Sequence, residues 1–488
     1  MIKFQSSAAV TAATATRVAT LALTGTLLAT VLGACSMNPL YVRPDAPVAT
    51  AFTGDAGSSG SAGLAADIGW REFFPDPRLQ QLITTALANN RDLRTAALRI
   101  EEARALYNVQ SADLLPNLNG TANGVRARTP GSLTPFNRPL IASSYQVGFS
   151  LASFELDFFG RVRSLNEAAL ASYLATAEAQ RSAQISLVGE VAKAYLAERS
   201  YAEQLSLAQQ TLDGRRKAYD LAGQRFAVGA SSEFDLRLSE TLVQTARVSL
   251  LTLQRQRAQS DNALTLLVGK APADLPAAPM LSSENIITTI PAGVPSDLLT
   301  HRPDILAAEQ RLKSSNANIG AARAAFFPRI SLTAALGTSS SALSGLFGAG
   351  SGSWSFAPQL VLPIFDAGRN SSNLSLAEVR KNLAITDYEK TIQTAFREVS
   401  DALVARGLLD EQVSAQQTVV DAQAQRLKLA ELRFQNGIAS ALDVVDAQRD
   451  LFSAEQSMVQ TRQLRLTNAI DLYRALGGGL KETSATAS

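Results

Sequence analysis

Arg225-Phe226-x-x-Gly229-x-x-Ser232-x-Phe234-Asp235 and Arg433-Phe434-x-x-Gly437-x-x-Ser440-x-Leu442-Asp443 are nearly one motif written twice, 208 residues apart. The same offset pairs Gly160-Arg161 with Gly368-Arg369 and Glu190-Val191 with Glu398-Val399. Upstream, an offset of 212 pairs Asp92-Leu93 with Asp304-Ile305 and Pro116 with Pro328. The change of four residues falls after the two prolines, where a surface loop absorbs it. Chance similarity among Ala/Leu/Gln-rich helices would not keep Gly, Pro, Asp and Arg in step. A period this long means two similar half-molecules in one chain.

Leading into each motif is a proline-free segment, 161–225 and 369–433, rich in Ala, Leu, Gln, Glu and Arg. Each predicts one helix of about 65 residues, or roughly 100 Å at 1.5 Å per residue. Helices this long point to coiled-coil packing. Heptad stripes agree: Leu205, Leu212, Tyr219 and Phe226 in the first half, Val413, Val420, Leu427 and Phe434 in the second. We read both as packing surfaces. Past each motif glycine, Ser232 and Ser440 are suited to N-cap the next helix, so Gly229 and Gly437 mark helix-hairpin turns.

Two segments per half break the helical pattern. Tyr145, Val147, Phe149 and Leu151 alternate with Gln146, Gly148, Ser150 and Ala152, and Trp354, Phe356, Pro358, Leu360 and Leu362 with Ser355, Ala357, Gln359 and Val361. Weaker partners follow the prolines at 118–122 and 330–334, with Gly/Ser/Pro-rich loops at 129–144 and 339–353. One apolar and one polar face is the pattern of a membrane-barrel strand, and equally of a soluble sandwich. The N-terminus favours the barrel.

There, Lys3 and Arg17 are the only charges before an apolar run at 21–32, followed by Gly33-Ala34-Cys35. Twelve residues are too few to span about 30 Å of hydrocarbon and read as a signal-peptide core. Leu32-x-x-Cys35 resembles a bacterial lipobox, making Cys35 the expected lipidation site and a covalent lipid the one expected prosthetic group. As the sole cysteine it forms no internal disulfide. Ser36 follows it rather than the inner-membrane retention residue Asp, which predicts the outer membrane. A single acyl anchor holds weakly, so further membrane contact is expected.

Counting then requires an oligomer. Four strands per chain fall short of the roughly eight in the smallest membrane barrels, and lipid does not tolerate an open sheet edge. Three chains would supply 12 strands. The long, polar helices must stand outside the membrane.

Along nearly the whole mature chain the sequence resembles an outer membrane factor of the TolC/OprM type, in the lipoprotein branch often labelled NodT. The resemblance is carried by Pro39-Leu40-Tyr41-Val42-Arg43-Pro44, Trp70-Arg71-Glu72-Phe73-Phe74 with Asp76 and Leu79, and Asn89-Asn90-Arg91-Asp92-Leu93. It continues in Phe154-Glu155-Leu156-Asp157-Phe158-Phe159-Gly160-Arg161 and Leu472-Tyr473-Arg474-Ala475-Leu476-Gly477-Gly478-Gly479. It implies a mainly α protein with a membrane β-barrel: a homotrimer sharing a 12-stranded barrel above a periplasmic α-helical barrel. The implied function is the passive exit duct of a tripartite efflux pump, embedded in outer membrane lipid of a Gram-negative bacterium. Its implied partners are a periplasmic adaptor (membrane fusion protein) and an inner membrane transporter of the resistance-nodulation-division (RND) class. Domain bounds on this reading are a signal peptide at 1–34, a lipidated extended segment at 35–78, a first repeat at 79–268, a linker at 269–300, a second repeat at 301–477 and a tail at 478–488.

The resemblance also assigns roles. Adaptor docking is expected at the tips, on Arg225, Gly229, Ser232, Asp235, Arg433, Gly437 and Ser440. Asp443 and Asp446, six and nine residues after the second tip glycine, match aspartates lining the narrowest opening of TolC-like channels. Three apart, they share a helix face, and rings of acids in a narrow pore favour cations. The competing account is a capping or solvated pair. The first half has Asp235 but Leu238 at the partner position. Ala439 stands where some relatives carry a gate-locking Arg, so no such lock is expected.

Nothing points to catalysis. His301 is the sole histidine, and phosphate-cradling loops, Cys/His clusters and Gly-x-Ser-x-Gly elbows are missing from the sequence. Lys and Arg total 45 against 43 acids, which argues against nucleic acid as a partner. Two alternatives remain at this level: the channel of a type I secretion system, and a periplasmic coiled-coil lipoprotein scaffold without a pore.

Overall fold

A computed structural model describes residues 36–52, 65–135, 137–272, 274–281, 286–288, 290 and 295–483. Cys35 and the signal segment lie outside them. The helices are α1 (Trp70–Phe73), α2 (Pro77–Asn89), α3 (Arg91–Ala112), α4 (Arg161–Ala227), α5 (Glu233–Val268), α6 (Pro295–His301), α7 (Pro303–Ala324), α8 (Arg369–Gln435) and α9 (Ala441–Ala475). The strands are β1 (Leu118–Thr129), β2 (Leu140–Leu156), β3 (Arg329–Ser340) and β4 (Gly352–Val361). The long helices α4 and α8 are 67 residues each and start at the equivalent Gly-Arg pairs, as the repeat predicts. The described residues form two compact units, one from those within 1–44, 101–175 and 309–387, the other from those within 45–100, 176–308 and 388–488.

The first unit holds a four-stranded antiparallel sheet in the order β1-β2-β3-β4, so the hairpins of the two half-repeats join along β2 and β3. Register places Leu118, Ala122, Tyr145, Val147, Phe149, Leu151, Leu332, Leu336, Trp354 and Phe356 on one face. Asn119, Thr121, Asn123, Gln146, Ser150, Ser331, Thr333, Ser353 and Gln359 take the other. Leu151 and Phe154 are three apart yet on the same face. The register shift between them adds one residue to β2, with Ser153 in the left-handed region at φ 48°. This apolar face is bare within the chain, Trp354 being 78% exposed.

The strands are longer than the alternation indicates. The ends of what reads as loop at 129–144 and 339–353 are ladder, because β1 runs to Thr129, β2 starts at Leu140, β3 ends at Ser340 and β4 starts at Gly352. The ends of these strands carry Ser, Thr, Ala and Arg, which give no period-two signal; backbone pairing fixes them. At the opposite end, Glu155 accepts from Arg161 (2.8 and 2.7 Å) and Arg329 (2.6 Å), tying β2 to β3 and to the start of α4. Phe159 and Phe327 stack with ring centroids 4.7 Å apart.

In the same unit, the extended segment 36–44 is fastened to α4 and α7. Asn316 Nδ2 donates to the Pro39 carbonyl (2.8 Å), and Ser164 Oγ to Asn38 Oδ1 (2.7 Å). Arg43 Nη2 and Lys313 Nζ meet the buried Glu309 at 2.7 and 3.2 Å. Burial acts to raise this carboxyl, but the hydrogen bonds from Arg43 and Lys313 outweigh it and hold Glu309 below the usual carboxylate range. The first residues after Cys35 are therefore held to the helices by specific bonds.

The second unit has a core of Phe73 and Phe74 against Tyr473, whose ring stacks on Phe73 at 3.9 Å. Asp76 caps α2 by accepting from the amides of Arg78 (2.9 Å) and Leu79 (3.4 Å), and also accepts from the buried Tyr195 hydroxyl at 2.7 Å. Arg302 pairs with Asp304 (2.5 Å) and Glu398 (2.9 Å), two of the residues the repeat picks out. Further along, Ala208, Leu212, Ala246, Leu250 and Leu253 form an apolar seam joining α4 to α5. The heptad stripe is thus core at Leu212, 1% exposed, but opens to 42% at Phe226. The difference is one of neighbours: near the turn a single chain has nothing left to pack on that side.

Candidate functional site

Both hairpin tips belong to the second unit, and both are built by the same bonds. α4 ends in a Schellman turn: the Gly229 amide donates to Phe226 O (2.9 Å) and the Ala230 amide to Arg225 O (2.8 Å). At the end of α8, Gly437 donates to Phe434 O (3.0 Å) and Ile438 to Arg433 O (2.8 Å). Gly229 and Gly437 both sit at φ 72°, a conformation that favours glycine over any residue with a Cβ. This requirement explains why these two glycines mark the repeat so sharply.

Three residues after each glycine the chain caps the next helix. The Asp235 amide donates to Ser232 Oγ (3.1 Å), while the Asp235 carboxylate accepts from Ser232 N (3.3 Å) and Ser232 Oγ (2.7 Å). At the second tip the Asp443 amide donates to Ser440 Oγ (3.3 Å), and the Asp443 carboxylate accepts from Ser440 N (2.8 Å) and Ser440 Oγ (2.9 Å). These are reciprocal capping boxes with Asp in the place usually taken by Glu. The Ser232 hydroxyl and amide hold Asp235 below the usual carboxylate range, and the Ser440 amide and hydroxyl do the same to Asp443. Both tips therefore carry fixed negative charge at the positive end of a helix.

Of the expected site residues, Arg225, Gly229, Ser232 and Asp235 come together at the first tip, and Arg433, Gly437, Ser440 and Asp443 at the second. Asp443 stays solvent-exposed while serving as a capping group. Asp446, one turn on, meets Arg449 at 3.1 Å. Cys35, the expected lipid site, lies outside the described residues. The sequence reading missed a charge cluster behind the second tip, in which Asp450 on α9 accepts from Arg426 on α8 (2.6 Å) and from Arg449 (3.1 Å). Arg426 and then Arg449 hold Asp450 below the usual carboxylate range. The acids at 446 and 450 on one helical face were the available signal; the cross-helix partner was not visible from spacing.

Among the described residues, no cluster of His, Cys, Asp and Glu could hold a metal, and no helix is long and apolar enough to cross a membrane. His301 ends α6, its Nδ1 2.9 Å from the Asp297 carbonyl, a structural position. Chemically the tips offer exposed backbone turns, fixed carboxylates and guanidiniums. They are equipped for recognition rather than bond making.

The family model for outer membrane efflux proteins matches residues 82–270 and 294–478. The outer membrane protein OprJ of Pseudomonas aeruginosa is 48% identical over 458 residues, covering 93% of this chain and 95% of OprJ. The probable efflux pump outer membrane protein TtgC of Pseudomonas putida is 46% identical over 462 residues, covering 94% and 95%. The open state of the MtrE outer membrane channel of Neisseria gonorrhoeae superposes with a TM-score of 0.85 at 44% identity, covering 93% of this chain and all of that one. The chain belongs to the outer membrane efflux protein family, and is a non-enzymatic efflux channel protein of the Gram-negative outer membrane.

Proposed function

We propose that three copies of the chain assemble one closed β-barrel and form the exit duct of a tripartite efflux pump. The observation that carries this reading is the four-stranded sheet with a continuous apolar face and two unpaired edges, β1 and β4. In hydrocarbon, each unpaired backbone group costs several kcal/mol, so β1 of one copy must pair with β4 of the next. Three copies give 12 strands and a lumen lined by the polar face.

On this reading the exposed tips, two per chain, receive a periplasmic adaptor through Arg225, Gly229, Ser232, Asp235, Arg433, Gly437 and Ser440. The adaptor in turn links the duct to an inner membrane RND transporter, which supplies the energy. Asp443 and Asp446 then form rings at the periplasmic opening, Cys35 carries a lipid in the outer membrane, and the bonded segment 36–44 connects that lipid to the helices. Drugs or other small molecules are the cargo; relatives carry names such as toluene and antibiotic efflux pump proteins, which supports this over protein secretion.

In-cell photo-crosslinking from position 440 tests the docking. Recovery of an adaptor supports it. Recovery of nothing but the protein itself, in cells that express the adaptor, would refute it.

A further inference from the structure

Within the second unit, the α4–α5 hairpin and the α8–α9 hairpin border a partly open cavity of about 370 Å³. Its walls are largely apolar, including Leu238 and Leu242 on α5, Phe434 on α8 and Val445 on α9. Set into this lining is Arg215 of α4, 8% exposed. Its Nη1 donates to the Leu242 carbonyl at 3.1 Å, and it forms no ion pair among the described residues. Burial pulls its pKa down. Buried guanidiniums are normally paired with a carboxylate, because an unpaired charge in an apolar setting is expensive.

The cavity's own acid does not meet that need. Asp235 lines it, but its carboxylate is committed to Ser231, Ser232 and the start of α5. Arg225 lines the same space, so the lining holds two arginines and one engaged carboxylate. Gln448 adds a polar contact on α9. A volume of this size, apolar walls and a convergent buried cation match small-molecule sites, which run from about 300 to 1,000 Å³.

We propose that this cavity binds a small amphiphilic anion, of the aryl or short alkyl carboxylate class, with its carboxylate on Arg215 and its apolar body against Leu242, Phe434 and Val445. A planar carboxylate takes two parallel hydrogen bonds from a guanidinium, which the single carbonyl of Leu242 cannot replace. A ligand seated here touches both hairpins and favours their present arrangement over any in which they separate. The site goes beyond adaptor docking and requires no partner protein.

A fluorine NMR titration of para-trifluoromethylbenzoate against the full-length, detergent-solubilised protein tests this. The wild type should show a saturable response. Arg215→Gln should weaken it at least tenfold, while Arg215→Lys, which keeps the charge, should retain part of it. Ala222→Leu, which fills the cavity and leaves Arg215 in place, should abolish it and carries the test if Arg215→Gln fails to fold. Partitioning into detergent is non-saturable and equal in all variants; finding that alone would overturn the proposal and leave the cavity to an acidic side chain of a partner. Equal saturation in wild type and Ala222→Leu would overturn it as well.

Discussion

Gly148→Ala should break the seam that makes one sheet out of two half-repeats. Gly148 on β2 lies opposite Gly337 on β3. A Cβ added to Gly148 would stand 2.4 Å from the Leu336 carbonyl oxygen and 2.7 Å from the Gly337 Cα, and one added to Gly337 would stand 2.2 Å from the Val147 oxygen. All these neighbours are backbone, so no side chain can swing aside. Reaching 3.0 Å from the Leu336 oxygen requires the strands to part by about 0.6 Å. That stretches the flanking ladder bonds from about 2.9 to about 3.5 Å, where they cease to count as hydrogen bonds. Two lost bonds at about 0.5–1.5 kcal/mol each give roughly 1–3 kcal/mol per chain, and more where water cannot replace them. Gly120 on β1 is the control, because a Cβ there meets nothing within 4 Å. The assay is the temperature at which the detergent-extracted oligomer dissociates on a semi-native gel. Gly148→Ala should lower it clearly and Gly120→Ala hardly at all. Equal behaviour of the two variants would refute the close-packed seam.

Other outcomes follow from the tips and the core. Asp446→Asn leaves the Ser440–Asp443 cap intact and should reduce the cation-to-anion permeability ratio by at least about twofold in bilayer recordings; unchanged selectivity would remove Asp446 from the pore lining. Asp450 has a depressed folded pKa, so its contribution is present above its unfolded pKa and lost as pH falls through the lower folded value. Spin-label distances between α8 and α9 near the tip should therefore broaden on acidification below about pH 4, and Asp450→Asn should already show the broadened distribution at neutral pH. Tyr195→Phe removes a buried hydrogen bond to the Asp76 carboxylate and should destabilise the helical region by about 1.5–3 kcal/mol, read as a lower thermal midpoint by circular dichroism.

Much of this molecule is legible from local pattern. The long helices, the hairpin glycines and the faces of β2 and β4 follow from period, composition and the internal repeat. What local pattern missed has a common cause. The strand ends at Thr129, Leu140 and Ser340 are set by backbone pairing with a neighbouring strand, and side-chain alternation does not report that. The Ser153 bulge keeps Leu151 and Phe154 on one face through its register against β3. The resemblance marks Asp235 as a docking charge and Asp443 as a pore charge, with capping the competing account for Asp443; the Ser232–Asp235 and Ser440–Asp443 capping boxes give both a capping role. Arg215 looks like any solvated arginine in an Ala/Leu-rich helix. Its burial comes from α5, 27 residues along the chain at Leu242, and from a second hairpin more than two hundred residues away. Contacts of that kind leave no trace in a single helix's sequence.

Native mass spectrometry of the detergent-extracted protein tests the central claim most directly. The unpaired edges of β1 and β4 predict a complex of three chains that persists until the detergent is stripped in the gas phase. A stable single chain, folded and still embedded in its micelle, would contradict the shared barrel and with it the duct.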